Sequence, residues 1–505
     1  MQLRHMFIAG SAALAIATMR PALAADAATD HRIDALAQQL EKVSQQLADL
    51  QRTTADAKVD ALQQQVRDLS AQVADLKAGT ASRFADTQKQ ISAVAPTLKD
   101  GRPTLTTADG AFSASLRSIV QLDAGAYEQD KPASQVDLSS GSNFRRARFG
   151  MDGKLFTDWD YSFLYDFGGS GVEGTSISQA YLQYNGFAPI AIRVGAFPPY
   201  ANLEDSAGAG DTLFLERASV TEIQRGLAGG DGRTALSIVR PGERFFASLA
   251  YTGGQDHKSG VTDEQQALLG RAAYLVYSSP SSKIVLGVNG TSIFRPADTS
   301  VVPPARNAPA NIVLQNGTEL RVDDTGTNGA PTSLVSTGNL NANSLLQWGV
   351  DAGANFKSLY AEGGYYRFTV DQRLAFPDLE FDGWYAAASW LITGESRRYD
   401  ATRAAFRNPI IAHPVGGSGG GWGAWELAVR FSTIDLNDQV FDPVVANRVR
   451  GGQQDIWTFG VNWYANAAIR VLLDYQRADI DRRNAAGVNI GQDVDQISAR
   501  VQYAF

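Results

Sequence analysis

Arginine carries most of the positive charge in the larger part of this sequence. From residue 111 to the end there are 28 arginines and 5 lysines. A guanidinium is planar, stays charged at any relevant pH and donates in a fork that fits phosphate and carboxylate oxygens, whereas an ammonium is a strongly hydrated point charge. Spacing matters as much as type. In Trp425-Glu426-Leu427-Ala428-Val429-Arg430-Phe431 and Ile469-Arg470-Val471-Leu472-Leu473-Asp474-Tyr475, apolar residues occupy alternate places and charges fall between them. Successive side chains of a strand point to opposite faces. By this parity Arg117, Arg146, Arg148, Arg193, Arg271, Arg430, Arg470 and Arg500 share the face opposite the apolar one, together with Asp123, Asp166, Asp351, Glu426 and Asp474. The same region holds 41 acids against 33 bases, a net charge of −8, so any attraction for anions must be local.

Other chemistries find little to work with. His31, His257 and His413 are far apart in sequence and none falls in a strand-like segment, so neither a metal shell nor a Ser–His pair on one wall is expected. With no cysteine, thiol catalysis and cysteine-ligated metals are excluded. The run Gly416-Gly417-Ser418-Gly419-Gly420-Gly421 lacks the Lys-Ser/Thr of a phosphate-cradling loop and reads as a connector. No cofactor or nucleic-acid partner is implied, and the chain is not expected to be an enzyme.

The elements that position the arginines can be read along the chain. Arg4 and His5, an apolar run from Met6 to Met19 and the site Ala22-Leu23-Ala24 read as a secretory signal peptide over residues 1–24. In residues 25–95, Leu36, Leu40, Val43, Leu47, Leu50 and then Leu62, Val66, Leu69, Val73, Leu76 alternate steps of four and three, which predicts a periplasmic coiled coil with a stutter between the runs. Pro96 and Gly101-Arg102-Pro103 mark a linker over 96–110, after which the period becomes two. No later stretch reaches the roughly 20 apolar residues of a membrane helix. The strand-like segments fall near 113–127, 143–155, 158–168, 176–185, 189–197, 223–240, 243–252, 265–277, 282–293, 344–356, 358–370, 381–392, 422–434, 453–464, 468–480 and 493–505.

An even count with aromatics such as Phe163, Trp384, Trp390, Trp422 and Tyr503 towards strand ends is the pattern of an all-β, 16-stranded antiparallel transmembrane barrel in a Gram-negative outer membrane. Such a barrel would be bathed in outer-membrane lipid and lipopolysaccharide. The ending Arg500-Val501-Gln502-Tyr503-Ala504-Phe505 resembles the signal read by the barrel-assembly machinery. Short turns at 156–158, 186–188, 241–242 and 465–467 fit the periplasmic side, and the long stretch 295–343 fits the outside. The segment 393–421 is long yet falls on the inner side. Its Arg397, Arg398, Arg403 and Arg407 read as a solvated charged loop.

Several motifs, taken in order, resemble the porin O / porin P family of phosphate- and polyphosphate-selective outer-membrane porins. They are Arg145-Arg146-Ala147-Arg148 with Gly153-Lys154-Leu155; Tyr165-Asp166-Phe167; Gly195-Ala196-Phe197-Pro198-Pro199; Glu216-Arg217; Thr393-Gly394-Glu395-Ser396; Trp425-Glu426 with Arg430; and Gly460-Val461-Asn462-Trp463-Tyr464. The resemblance implies a homotrimer of barrels, a long inner segment after Thr-Gly-Glu-Ser, and an infolded loop, here about Pro198 to Glu222. It also implies a channel for small anions such as phosphate, lined by inward arginines. Arg145, Arg146 and Arg217 are then expected at the constriction, provided the second strand bulges to turn Arg145 inward. Phosphate-selective members place a lysine in the infolded loop; the stretch 198–225 has none. The alternative function is structural, a barrel whose coiled coil tethers the membrane to peptidoglycan.

Overall fold

The computed structural model describes residues 35–505 with breaks at 47, 50–55, 93, 100–101, 131–136, 169–175, 256–262, 298–310, 324–331, 374–375, 417–419, 445–446 and 485. The expected signal peptide, and most of the expected stutter, lie outside the described residues. The chain divides into two compact units, Met1–Ala95 and Pro96–Phe505.

In the first unit helix α1 spans Asp56–Ser92, and residues 35–46 are also helical. Leu62, Val66, Leu69, Val73 and Leu76 are half-buried along one edge of α1 while most of the residues between them are exposed. A stripe this narrow cannot be covered by its own helix.

The second unit is built on sixteen strands. They are β1 (Ser113–Gln129), β2 (Gly141–Leu155), β3 (Trp159–Asp166), β4 (Ser176–Phe187), β5 (Ile190–Ala196), β6 (Arg233–Arg240), β7 (Phe245–Gln255) and β8 (Gln266–Ser278) in the first half. The second half comprises β9 (Ser282–Arg295), β10 (Leu340–Phe356), β11 (Leu359–Gln372), β12 (Leu379–Leu391), β13 (Ala424–Asp438), β14 (Val449–Tyr464), β15 (Ile469–Asp481) and β16 (Gln492–Ala504). Each pairs antiparallel with the next, and β16 returns to β1 with Val494 opposite Gln129 and Ala504 opposite Ile119. Closure satisfies every edge, the condition for strands to cross a bilayer. The last residue takes part: Phe505 N donates to the Ser118 carbonyl at 3.0 Å, and Ser118 N to that of Phe505 at 2.9 Å.

The burial pattern is that of a soluble protein inverted. On β14, Trp457 and Phe459 are each 50% exposed, while Thr458 and Asn462 between the apolar positions are fully buried. Arg145, Arg271, Arg430 and Arg500 are among the largest fully buried side chains. Apolar residues outside and charge inside suit lipid around the barrel and a polar lumen.

Two expectations fail. The strand expected from residue 223 begins only at Arg233, because residues 219–228 form a helix. Ile223, Arg225 and Leu227 mimic strand alternation, but Val220, Ile223 and Leu227 also fit helical spacing, and the segment has no neighbouring strand to pair with. The inner segment is not a solvated loop either: strands Arg397–Asp400 and Ala405–Pro409 form a hairpin that packs Ala404, Ala405 and Phe406 against lumenal residues.

Candidate functional site: an infolded loop held by lumenal arginines

Between β5 and β6, residues 197–232 enter the barrel and carry two helices, α2 (Leu203–Ala207) and α3 (Ser219–Ala228). Asn202 caps α2, its side chain accepting from Asp205 N at 2.8 Å. Val220, Ile223 and Leu227 of α3 join a core with Leu269 and Ile293 of β8 and β9. Gly353 of β10 leaves the room this crowding needs, since a Cβ there would stand 3.0 Å from both Leu203 and Phe406.

Backbone taken out of a sheet and away from water must find other partners. The barrel wall supplies them. Asp351 accepts from Leu203 N at 3.1 Å and Asp474 from Leu215 N at 2.9 Å. In the opposite sense Arg500 donates to the Leu215 carbonyl at 2.5 Å, Arg430 to that of Glu216 at 3.0 Å and Arg470 to that of Leu213 at 3.3 Å. Gln121 and Gln502 hold the carbonyls of Ala209 and Gly210 at 3.0 Å each. Lumenal guanidinium groups thus act as clamps on the loop backbone.

The same groups are ion-paired. Arg500 meets Asp123 at 2.6 Å and Glu216 at 2.9 Å; Arg145 meets Glu216 at 2.8 Å; Arg430 meets Glu204 at 3.2 Å and also Glu319. Arg148 bridges Asp166 and Asp231 at 2.6 Å each, and Arg271 lies 3.5 Å from Asp351 while donating to the carbonyls of Arg403 and Ala404. Buried charges survive only when paired in this way. Burial alone would raise the Glu216 carboxyl, but Arg145 first, then Arg500 and Arg146, hold it well below the ordinary carboxylate range, so it stays ionised.

The bulge that Arg145 requires is present. Gln121 faces Arg146 and Leu122 faces Phe144, which leaves Arg145 as the extra residue, and both arginines are 2% exposed. Arg146 donates to Gln121 at 2.8 Å. Arg217 departs from the expected cluster: Arg145 reaches Glu216, but the neighbouring Arg217 turns to Asp205 at 3.3 Å and Glu222 at 3.5 Å. Arg117 and Arg193 face the lumen away from this frame, in the half nearer the short turns, where Arg117 donates to Gln179 at 2.9 Å and Arg193 to Gln183 at 2.8 Å.

Two further sets of residues were not expected. The connection between β9 and β10, placed outside by sequence, sends Glu319 inward to Arg430, Ser432 and Ser219 N, and Arg321 to Glu222 at 3.0 Å. The apolar Leu320 and Val322, buried with Leu215 and Leu472, were the available signal. On the inner hairpin Arg397 is buried against Glu426 at 2.8 Å and Tyr464 at 3.0 Å, and Arg407 and Asn408 reach Asp211 of the infolded loop at 3.0 and 2.9 Å. Loop and hairpin therefore meet inside the lumen.

Residues 112–505 match the family model described as phosphate-selective porin O and P. Porin O of Pseudomonas aeruginosa is 25% identical over 414 residues, covering 79% of this chain and 90% of that protein. An uncharacterised protein of Caulobacter vibrioides is 25% identical over 430 residues, 80% of this chain and 78% of its own length. Among solved structures, the anion-selective porin from Comamonas acidovorans overlaps 78% of this chain and all of its own at 12% identity, with a TM-score of 0.44. The outer membrane channel DcaP of Acinetobacter baumannii overlaps 79% and 99% at 12% identity, also with a TM-score of 0.44. On the family match, which spans the whole barrel, this chain belongs to the phosphate-selective porin O and P family and is a porin of the Gram-negative outer membrane.

Proposed function

We propose that the barrel is a diffusion channel with a preference for small anions, narrowed by the infolded loop and lined by Arg117, Arg145, Arg146, Arg148, Arg193, Arg217, Arg271, Arg430, Arg470 and Arg500. The observation that carries this reading is the set of less fully paired lumenal guanidinium groups nearer the short turns, where Arg193 bonds only through Nε and the side chain of Arg117 is 29% exposed. An anion passing such groups exchanges hydration for fork-shaped donors stepwise. The family's name adds phosphate as the first solute to test. In a potassium chloride gradient the reversal potential should have the sign of anion preference; a cation-preferring channel, or none, overturns the reading.

The rest of the chain is read to match. Residues 1–24 export it, and residues 25–95 form a periplasmic coiled coil, supported by the uncovered stripe of α1 and matched to a homotrimer of barrels. Phe505, locked onto Ser118, serves as the assembly signal. Deleting it removes two backbone bonds at the closing seam and should leave unfolded protein in the periplasm, which loss of the heat-modifiable band on a gel would register.

A further inference from the structure

The ion pairs around Glu204, Glu216 and Glu319 leave the charge there largely compensated, whereas between the infolded loop and the short turns, among the described residues, five guanidinium groups share three carboxylate partners. There Arg102 and Arg117 share Asp152, at 2.7 and 3.5 Å. Arg403 and Arg407 share Asp400 at 3.8 and 3.7 Å, and Arg407 also takes Asp211 at 3.0 Å. Arg193 adds a fifth guanidinium and no further carboxylate. Among the described residues its one polar partner is Gln183, bound through Nε at 2.8 Å. Both of its terminal nitrogens are therefore available.

What surrounds that guanidinium is aromatic. Its carbon stands 4.4 Å from the Tyr181 ring centre, 5.3 Å from Phe197 and 5.9 Å from Tyr200. The inner hairpin brings Arg403 to the same part of the lumen, since Tyr200 packs against the cluster that holds its neighbours Ala404, Ala405 and Phe406. The side chains of Arg117 and Arg403 are 29% and 34% exposed, so each keeps part of its charge open to the lumen beside its carboxylate partner.

We infer that Arg193, Arg403 and Arg117, with the rings of Tyr181, Tyr200 and Phe197, form a binding subsite for anions that carry a carboxylate on a flat conjugated body, aromatic carboxylates above all. A guanidinium already stacked on one ring presents its other face to a second flat group, and its free edge to an oxyanion. The flat body covers surface of the half-buried Tyr181 and Tyr200 rings that water would otherwise wet, while Phe197, already buried, only backs Arg193; acetate or chloride lacks that gain. The inference rests on the channel reading only for how the anion reaches the site.

Titration calorimetry on the full chain in detergent tests this, with benzoate as probe and acetate as comparator. Benzoate should bind roughly tenfold more tightly than acetate, a preference of the size that a desolvated cation–π contact supplies. Arg193→Gln and Tyr181→Leu should each bring benzoate to the level of acetate. Tyr181→Phe, which keeps the ring, should retain the preference, and a heat-modifiable band on a gel confirms that each variant folds. Equal binding of the two anions by the unaltered protein overturns the subsite, as does a folded Tyr181→Leu variant that still prefers benzoate. Benzoate binding by a protein that does not conduct would leave the subsite standing and remove the channel; conduction without a benzoate preference would do the reverse.

Discussion

Replacing Arg430 and Arg500 together by glutamine should raise the single-channel conductance severalfold while leaving the barrel folded. Arg430 binds Glu204, Glu319 and the Glu216 carbonyl; Arg500 binds Asp123, Glu216 and the Leu215 carbonyl. Removing one partner of a buried ion pair costs about 3–5 kcal/mol, because the other charge is left uncompensated. The double change does this at two points on the same stretch of loop. The ladders β13–β14 and β16–β1 run through backbone groups that neither substitution touches. The least costly response is for residues 209–217 to leave the lumen, where water can solvate the freed carboxylates. Planar-bilayer recordings and heat-modifiable mobility read the two halves of the expectation. An unchanged conductance in a folded barrel would sink it, and would mean that the apolar packing of α3 holds the loop by itself.

The second large effect concerns ion preference. Replacing Arg145, Arg146 and Arg217 by glutamate should reverse the sign of the reversal potential. The change alters local charge by six units around Glu216, Asp205 and Glu222, which these arginines now offset or adjoin. Two charges 4 Å apart at an effective dielectric of about 20 interact by about 4 kcal/mol, and screening acts only over about 8–10 Å at ordinary salt. Surface charge elsewhere cannot match that. A suitable control is Arg398→Glu, since Arg398 is exposed on the inner hairpin and should change conductance mainly at low salt. Arg397 is no control: losing its pair with Glu426 would free the hairpin itself. If the triple variant keeps the original ion preference, the charges that set it lie elsewhere, and Arg193 with Arg403 become the first to examine.

The architecture was readable in the sequence because it depends on period. Alternation of apolar and polar residues fixes which face of a strand meets lipid, and sixteen such segments with short turns on one side leave few arrangements other than a closed barrel. The inward parity of Arg430, Arg470 and Arg500 follows from the same rule. Parity even flagged one place where it had to fail, the bulge at Arg145, although only the resemblance called for it.

Partnership was not readable. Nothing local to Arg430 names Glu204 or Glu319, which lie 226 and 111 residues away in sequence. Nothing local to Arg397 distinguishes a solvated loop from a hairpin buried against Glu426. The helix at 219–228 was misread because a segment short enough to satisfy two periods is decided by what it packs on. Sequence alone thus determined the barrel, its lipid-facing side and the inward parity of strand arginines such as Arg430, Arg470 and Arg500, since these are properties of one strand and its period. Tertiary structure alone decided which guanidiniums are spent on holding the loop and which keep free charge. That division depends on where three connections distant in sequence converge inside the lumen, and on the high cost of leaving any charge unpaired there.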